Sequence, residues 1–379
     1  MEKRTYRILL ASTGGHIGGE ETFTRNLALA LLAAGHQVWV APGGPVQRAD
    51  LEKNTIPIAD LPISGRNLPG LIRGARAISD FAVAEKIDII HCQAAGPAIM
   101  GAVCRWLRLP AGNRRWLWHD HGVTAGTYRW LPRILNRLDQ SIANSDYELI
   151  KLLGNGVRNE KIRRIHNGID SAVWCLEAQQ RAAFRAEIRS RHGIPAEARV
   201  WGYAGRLSPE KGCDLFMPSA TTVLKHQPNA RFLIIGDGVM ADSLKAECAA
   251  GGISDRVIFC GFQTDMPRYL SAPDVLILPS KMETFSLTVL QAMALQLPVI
   301  ATDVGGNPEQ ILSGYNGLLC RNGDAAGLAG CIDRLLASPQ ECDAMGNAGR
   351  RMIEKYLNVD RMVRQIEETY DSLMEACPA

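Results

Sequence analysis

Residues 275–306 read VLILPSKMETFSLTVLQAMALQLPVIATDVGG. Val275–Pro279 is a short apolar run suited to a buried strand, and Leu287–Leu295 supplies the apolar face of a helix with Glu283–Ser286 at its mouth. Pro298–Ala301 is a second buried strand, stopped by Gly305–Gly306, and YNGLL follows at 315–319. A helix start of this kind presents unpaired backbone N–H groups that suit a phosphate or another anion. The Glu283 carboxylate is electrostatically wrong for gripping phosphate, but it is well suited to accepting hydrogen bonds from sugar hydroxyls beside one. The pairing points to a ligand with a phosphate end and a polyhydroxy end.

Working outward, the second half reads as a βα series, with strands over Val200–Tyr203, Arg231–Ile235, Val257–Phe259, Val275–Pro279 and Val299–Ala301 and late helices over Leu328–Leu336 and Asp360–Glu375. It opens with YAGRLSPEKGCD, in which Arg206 and Lys211 follow a strand and a Ser-Pro turn. Two cations there would neutralise a diphosphate and stabilise it as a leaving group. The GDG at 236–238 reads either as a nucleotide-side loop or as a plain turn. GFQTDM at 261–266 is placed to pack against a base, or its Asp265 is a helix cap.

The first half alternates in the same way. Strands fall at Arg7–Ala11, Gln37–Val40, Ile87–His91, Trp116–Trp118, from Ser141 and at Lys161–Ile165; helices fall at Glu20–Ala34, Leu68–Lys86 and Ala98–Leu107. Repeated βα units imply a mostly parallel sheet covered on both faces. STGGHIGGE after the first strand lacks both the GxGxxG spacing and a GK[ST] ending, yet Gly14 and Gly15 would let backbone N–H groups approach a ligand. In WLWHDHG, His119 and His121 fall on one side of a strand. No further Cys/His/Asp cluster completes a tetrahedral set, so no metal is expected. One of the two histidines instead donates a hydrogen bond to a sugar or acceptor hydroxyl. No GxSxG elbow supports covalent hydrolysis.

The whole chain permits this reading. Its 379 residues fit two domains of roughly 190 residues each, and 46% apolar content can fill both cores. Ten irregularly spaced cysteines without a CxxC pair read as inert small hydrophobes in a reducing compartment. MEKRTYRILLAS reads as a first strand, not a signal peptide, and no run approaches the roughly eighteen apolar residues of a membrane span. The net charge of +3 conceals +9 over residues 1–195 and −6 beyond. That split means either a basic domain facing an anionic surface or acceptor, or ordinary solubility charge. No recognition-helix pair or stacking motif accompanies the charge, so nucleic acid is not expected as a partner.

The combination of GGH with a second GG, HDHG, IANSDYE, HNGID, GRLSPEKG, IIGDG, VIFCGF, METFSLTVLQAMA, ATDVGGNPE and YNGLL resembles the GT-B glycosyltransferases of the large retaining family 4, which includes many bacterial polysaccharide and lipopolysaccharide transferases. The resemblance implies an α/β fold of two Rossmann-like domains facing across a deep cleft. An acceptor-binding domain is expected over 1–180, a nucleotide-sugar domain over 181–357, and a final helix over 358–379 packing back on the first. It further implies that Arg206 and Lys211 bind the donor diphosphate with backbone amides of Ser286, Leu287 and Thr288. Glu283 would contact the donor sugar, Gly14 and Gly15 would lie near the diphosphate, and His121 or His119 near the transferred sugar, with His121 favoured because it precedes glycine. Gly261, Phe262 and Gln263 would border the base.

One departure stands out: where the family carries a second glutamate seven residues on, this chain has Gln291. The implied activity is hexosyl transfer with retention, from a UDP- or GDP-sugar to a hydroxyl of a glycan or lipid-linked acceptor, with no obligatory cofactor. A nucleotide-sugar hydrolase or another GT-B enzyme is the alternative, and a non-catalytic sugar-nucleotide-binding protein is a further one. A cytoplasmic location is expected. Arg105, Arg108, Arg114, Arg115, Arg129, Arg133 and Arg137, with Trp106, Trp116, Trp130 and Tyr128, resemble a face for an anionic membrane surface, although core packing explains several of the aromatics equally well.

Overall fold

The computed structural model describes residues 4–14, 18–65 and 67–376. Two compact units divide the chain at Asn167/Gly168 and Asn358/Val359, the last segment returning to the first unit.

Unit one begins with β1 (Arg7–Ala11), α1 (Gly19–Ala33), β2 (Gln37–Ala41), α2 (Pro45–Lys53) and α3 (Leu68–Ala84). It continues through β3 (Ile89–Cys92), α4 (Ala95–Trp106), β4 (Arg115–His119), α5 (Leu131–Leu135), β5 (Gln140–Ala143), α6 (Asp146–Gly154) and β6 (Ile162–Arg164). Unit two opens with α7 (Ser171–Trp174), α8 (Ala178–Arg191), β7 (Arg199–Ala204), α9 (Cys213–His226), β8 (Ala230–Ile235), α10 (Ala241–Ala250) and β9 (Val257–Gly261). Then come α11 (Met266–Leu270), β10 (Val275–Leu278), α12 (Leu287–Ala294), β11 (Val299–Thr302), α13 (Asn307–Gln310), β12 (Gly317–Cys320), α14 (Ala325–Ala337) and α15 (Pro339–Tyr356). The final helix, α16 (Val359–Glu375), belongs to unit one.

Each unit holds one six-stranded sheet, ordered β2-β1-β3-β4-β5-β6 and β12-β11-β10-β7-β8-β9, and every pairing is parallel. In unit one β1 has β2 on one side and β3 on the other; in unit two β7 is flanked by β8 and β10. Crossovers leave the central strand in opposite directions, so a crevice opens at the carboxyl ends between β1 and β3, and again between β7 and β10.

Burial follows the period of two. In unit two, Trp201, Tyr203, Phe232, Ile234 and Ile277 pack into one core, while Val200, Ala204, Leu233, Leu276 and Leu278 pack into another on the opposite face. Helix α15 has no counterpart among the sequence expectations. Its buried stripe is made of Cys342, Met345, Gly346, Ala348, Gly349 and Ile353, mostly small side chains that weaken the apolar periodicity.

The aromatic face expected for a membrane loses two members. Trp116 is fully enclosed in the core of unit one, with its Nε1–H donating to the Ala111 carbonyl at 2.7 Å, and the buried Tyr128 hydroxyl donates to Glu148 at 2.5 Å. Arg105 pairs with Asp139 at 2.5 Å. Trp106 and Trp130 remain exposed. No described helix is long and apolar enough to cross a membrane. The nine described cysteines are free thiols.

Helix α16 is fastened to unit one by polar pairs beneath its apolar stripe of Met362, Val363 and Ile366. Asp371 accepts from the Tyr6 hydroxyl, His36 Nε2 lies 3.0 Å from Glu367 Oε1, and the fully buried Tyr370 hydroxyl lies 2.7 Å from His91 Nδ1. Tyr370→Phe leaves His91 Nδ1 without a partner in a site where its Nε2 already has none. The expected cost is about 1–3 kcal/mol, read as a lower urea midpoint at unchanged slope.

Candidate active site

In unit two the chemistry-bearing loops follow β7 and β10, the two strands that border the crevice. The loop after β7 carries Arg206 and ends in a short turn, Pro209–Lys211, that brings Lys211 back over the sheet edge. Gly212 follows at φ +69°, and a Cβ there would stand 1.8 Å from the Pro279 carbonyl oxygen. The loop after β10 carries Glu283 against Gly305, whose φ is +55° and whose Cβ would stand 1.7 Å from the Glu283 carbonyl oxygen. Only glycine combines that conformation with that approach. The loops after β7 and β10 are joined further by Lys281 N–H donating to the Glu210 carbonyl at 2.9 Å, and the loop after β11 is tied to the second of them by Gly306 N–H donating to the Glu283 carbonyl at 3.1 Å.

This framework places the Lys211 ammonium 2.7 Å from Glu283 Oε1, which also accepts from the Ser280 hydroxyl at 2.7 Å. Glu283 is 8% exposed, and its other carboxylate oxygen has no protein partner among the described residues. Arg206 is open to solvent, 3.9 Å from Glu210. It is not held against the Lys211–Glu283 pair and is free to swing onto an anion.

Of the three amides expected to meet an anion, the structure leaves two. Ser286 N–H donates to Gln310 Oε1 at 2.8 Å and the Gln310 amide donates back to the Ser286 carbonyl at 2.9 Å. Leu287 and Thr288, in the first turn of α12, precede any intrahelical acceptor. Gln291 lies one turn further on the same face as Leu287 and Thr288, half-buried, with no side-chain hydrogen bond among the described residues. Gln310 was not among the residues anticipated from sequence. Its only signal was its place in GGNPEQ after a strand.

The base-side loop follows β9. Gly261 accepts from Gly236 N–H at 2.9 Å, which ties the GDG turn to it, and Phe262 is 56% exposed. The Gln263 amide donates to the Cys260 carbonyl at 2.6 Å.

Unit one carries its own cluster at the carboxyl ends of β3 and β4. His91, His119 and His121 stack in a column, with ring centroids 5.4 and 5.0 Å apart and interplanar angles of 7° and 17°. Phe23 of α1 packs on His119 and His121. His119 is fully buried with neither ring nitrogen bonded, whereas His121 is half-buried and its Nε2 meets Gln93 Oε1 at 2.9 Å. Of the two candidates, His121 therefore has access to a ligand and His119 serves as its backing. Burial lowers the pKa of His91 and His121 to about 3, so both rings are neutral at physiological pH. The rings present faces, not lone pairs, to one another, which is no geometry for a metal.

Two buried carboxyls of unit one also stand out, Asp120, which lies between His119 and His121 in sequence, and Glu20, which the sequence reading did not single out. Asp120 is buried, with Oδ1 accepting Gly122 N–H at 3.0 Å and Oδ2 without a hydrogen-bond partner among the described residues; burial first and the neighbouring Glu148 second push its pKa well above the carboxylate range. Glu20, at the start of α1, accepts the Ser12 hydroxyl at 2.7 Å; burial raises its pKa to about 7 against the lowering effect of that bond. Its only sequence signal was its place in GGEE after the first glycines. Gly14 lies against the Glu21 side chain. Gly15, the other glycine of that loop, lies outside the described residues.

Paired six-stranded parallel sheets of this kind define the GT-B class, two Rossmann-like domains in one chain. Anabaena HepE, solved in complex with UDP-glucose, superposes over 97% of this chain and 100% of its own with a TM-score of 0.85 at 23% identity. The model described as Glycosyltransferase Family 4 matches residues 17–173, and the one described as Glycosyl transferases group 1 matches residues 184–352. The chain belongs to the family 4 type of GT-B glycosyltransferases. It is 26% identical to the putative glycosyltransferase EpsD of Bacillus subtilis over 90% of both chains. It is also 28% identical to the lipopolysaccharide core mannosyltransferase LpsB of Rhizobium meliloti, over 65% of this chain and 69% of LpsB.

Proposed function

We propose that this glycosyltransferase moves a hexosyl unit, with retention, from a nucleotide-diphosphate sugar to a hydroxyl of a glycan or lipid-linked acceptor in cell-envelope polysaccharide or lipopolysaccharide synthesis. Unit two holds the donor and unit one the acceptor. The observation that carries the reading is the Lys211–Glu283 contact at 2.7 Å, placed across the β7/β10 crevice beside the open start of α12. A cation, two free amides and a partly free carboxylate at one strand edge match a diphosphate joined to a sugar. HepE, which shares the fold, has been solved with UDP-glucose and with UDP, and this supports a UDP-sugar ahead of a GDP-sugar.

In this reading Lys211 leaves Glu283 for the diphosphate when donor arrives, joined by Arg206 and the Leu287 and Thr288 amides. Glu283 then accepts from hydroxyls of the sugar, and Phe262 with Gly261 borders the base. The family resemblance assigns Gly14 to the diphosphate as well. The acceptor hydroxyl attacks the anomeric carbon from the leaving-group face, and the departing phosphate oxygen takes its proton. Rate then comes from alignment and from stabilising the charge that develops on the diphosphate, without an obligatory metal. The donor class is tested by a thermal-shift panel of UDP-, GDP- and ADP-sugars, in which one nucleotide should raise the midpoint well above the others. An acceptor-dependent glycoside product, in place of free sugar, separates transfer from hydrolysis.

Gln291 stands where a second carboxylate would grip ribose hydroxyls. Charged hydrogen bonds are worth about 1.5–3 kcal/mol and neutral ones about 0.5–1.5. Gln291→Glu is therefore expected to tighten nucleotide binding about fivefold, measured by calorimetry with UDP. Unchanged affinity would remove the ribose from Gln291.

The reading includes a cytoplasmic location for the enzyme. The exposed Trp106 and Trp130, near Arg108 and Arg129 in sequence, offer it a contact with the inner face of the membrane. Sedimentation with anionic vesicles at low and high salt tests that contact, and binding that survives high salt would argue against a charge-led attachment.

A further inference from the structure

Gln93 is the first residue after β3, at the divergence of the crossovers in unit one, and its N–H donates to the Ala11 carbonyl of β1 at 2.8 Å. Its side chain is buried and faces two groups. The amide nitrogen lies 3.4 Å from the His91 carbonyl oxygen, and the amide oxygen lies 2.9 Å from His121 Nε2. A carbonyl oxygen only accepts, so the first contact sets the amide with its nitrogen toward His91. The amide oxygen also only accepts, so the nitrogen it faces on His121 must carry the proton. The ring is neutral, with its pKa lowered to about 3 by burial, and a neutral imidazole carries one proton. The lone pair is thus on Nδ1, which has no hydrogen-bond partner among the described residues. Stacking on His119 and contact with Phe23 hold the ring in place.

We propose that Gln93 is a positioning residue that locks His121 in its Nε2–H tautomer, so that His121 meets the donor sugar as a hydrogen-bond acceptor, its Nδ1 lone pair receiving a hydrogen bond from a sugar hydroxyl. The sequence alone suggests that one of the two histidines donates to a hydroxyl; at His121 this tautomer gives the opposite direction. The consequence is a specificity rule: the substrate must present a hydroxyl at this point, since an acceptor-only substituent of similar size faces a lone pair. The inference rests on the reading that His121 faces the transferred sugar.

Two measurements test it on the full chain. Long-range proton–nitrogen NMR spectra of the wild type should show His121 with a bare Nδ1 and a protonated Nε2, and Gln93→Met, which keeps the volume and removes the acceptor, should populate both tautomers. A protonated Nδ1 in the wild type, or a tautomer indifferent to Gln93→Met, overturns the proposal. With UDP-glucose as donor, Gln93→Met should lower kcat/KM about tenfold. With UDP-glucose analogues deoxygenated at each ring hydroxyl in turn, one analogue should abolish that difference. The analogue fluorinated at the same position should transfer as poorly as the deoxy one, because fluorine cannot donate. If the spectra come out as expected and no analogue removes the Gln93 effect, the placement of His121 at the sugar has failed and the proposal falls with it. The spectra and the analogues thus separate the two failures.

Discussion

Lys211→Ala is expected to lower kcat about a hundred- to a thousandfold with a much smaller change in donor affinity. The ammonium is the buttressed cation of the β7/β10 crevice, and its charge matters most when the diphosphate gains charge in the transition state. Stability should fall by only about 1 kcal/mol, because the Lys211 side chain is about a third exposed and Glu283 keeps its bond to Ser280. The second arm, Lys211→Ala with Glu283→Gln, removes the unpaired carboxylate and should restore the thermal midpoint, which assigns the stability loss of Lys211→Ala to the carboxylate left without its cation. Single-turnover transfer by pure Lys211→Ala at the wild-type rate under limiting donor would overturn the role.

The second large effect is structural in cause and catalytic in consequence. Gly305→Ala should destabilise the protein by about 2–4 kcal/mol and cut transfer at least about a hundredfold. A methyl group there carries both the penalty of the left-handed conformation and an overlap with the Glu283 carbonyl oxygen at 1.7 Å. Relief requires moving the backbone that holds Glu283. Gly323→Ala is the control: its φ is +81°, and its Cβ would meet nothing within 4 Å. It should show only the conformational cost of about 1 kcal/mol and normal activity. Equal losses in the two variants would mean that strain alone, and not the contact with the Glu283 loop, explains the effect.

Strand positions were legible because buried parallel strands read as short apolar runs. Val275–Leu278, Val299–Thr302 and Ala230–Ile235 all sit within a residue or two of where those runs place them. Helices were less so. α9, α10 and α15 are helices the sequence reading did not name, and in α15 Gly346, Ala348 and Gly349 occupy buried positions where larger side chains would have marked the stripe. The membrane-like face failed in part for a related reason. Composition counted Trp116 and Tyr128 beside Arg105 and Arg115, and only packing revealed that the two aromatics point inward while both arginines lean on Asp139.

Local spacing and side-chain chemistry were enough, read along the chain, to establish two βα series, the cation-bearing turn at 206–211, the carboxylate at 283 and the family they belong to. These are short-range properties, carried by residues a few positions apart. Strand order came from the folded chain, and with it the meeting of loops 72 residues apart in sequence at one crevice. So did the capture of Ser286 N–H by Gln310, the exclusion of His119 from solvent, and the amide of Gln93 that dictates which nitrogen of His121 carries a proton. Such contacts are made across long separations, where the residue at either end gives no sign of which partner the packing will bring to it.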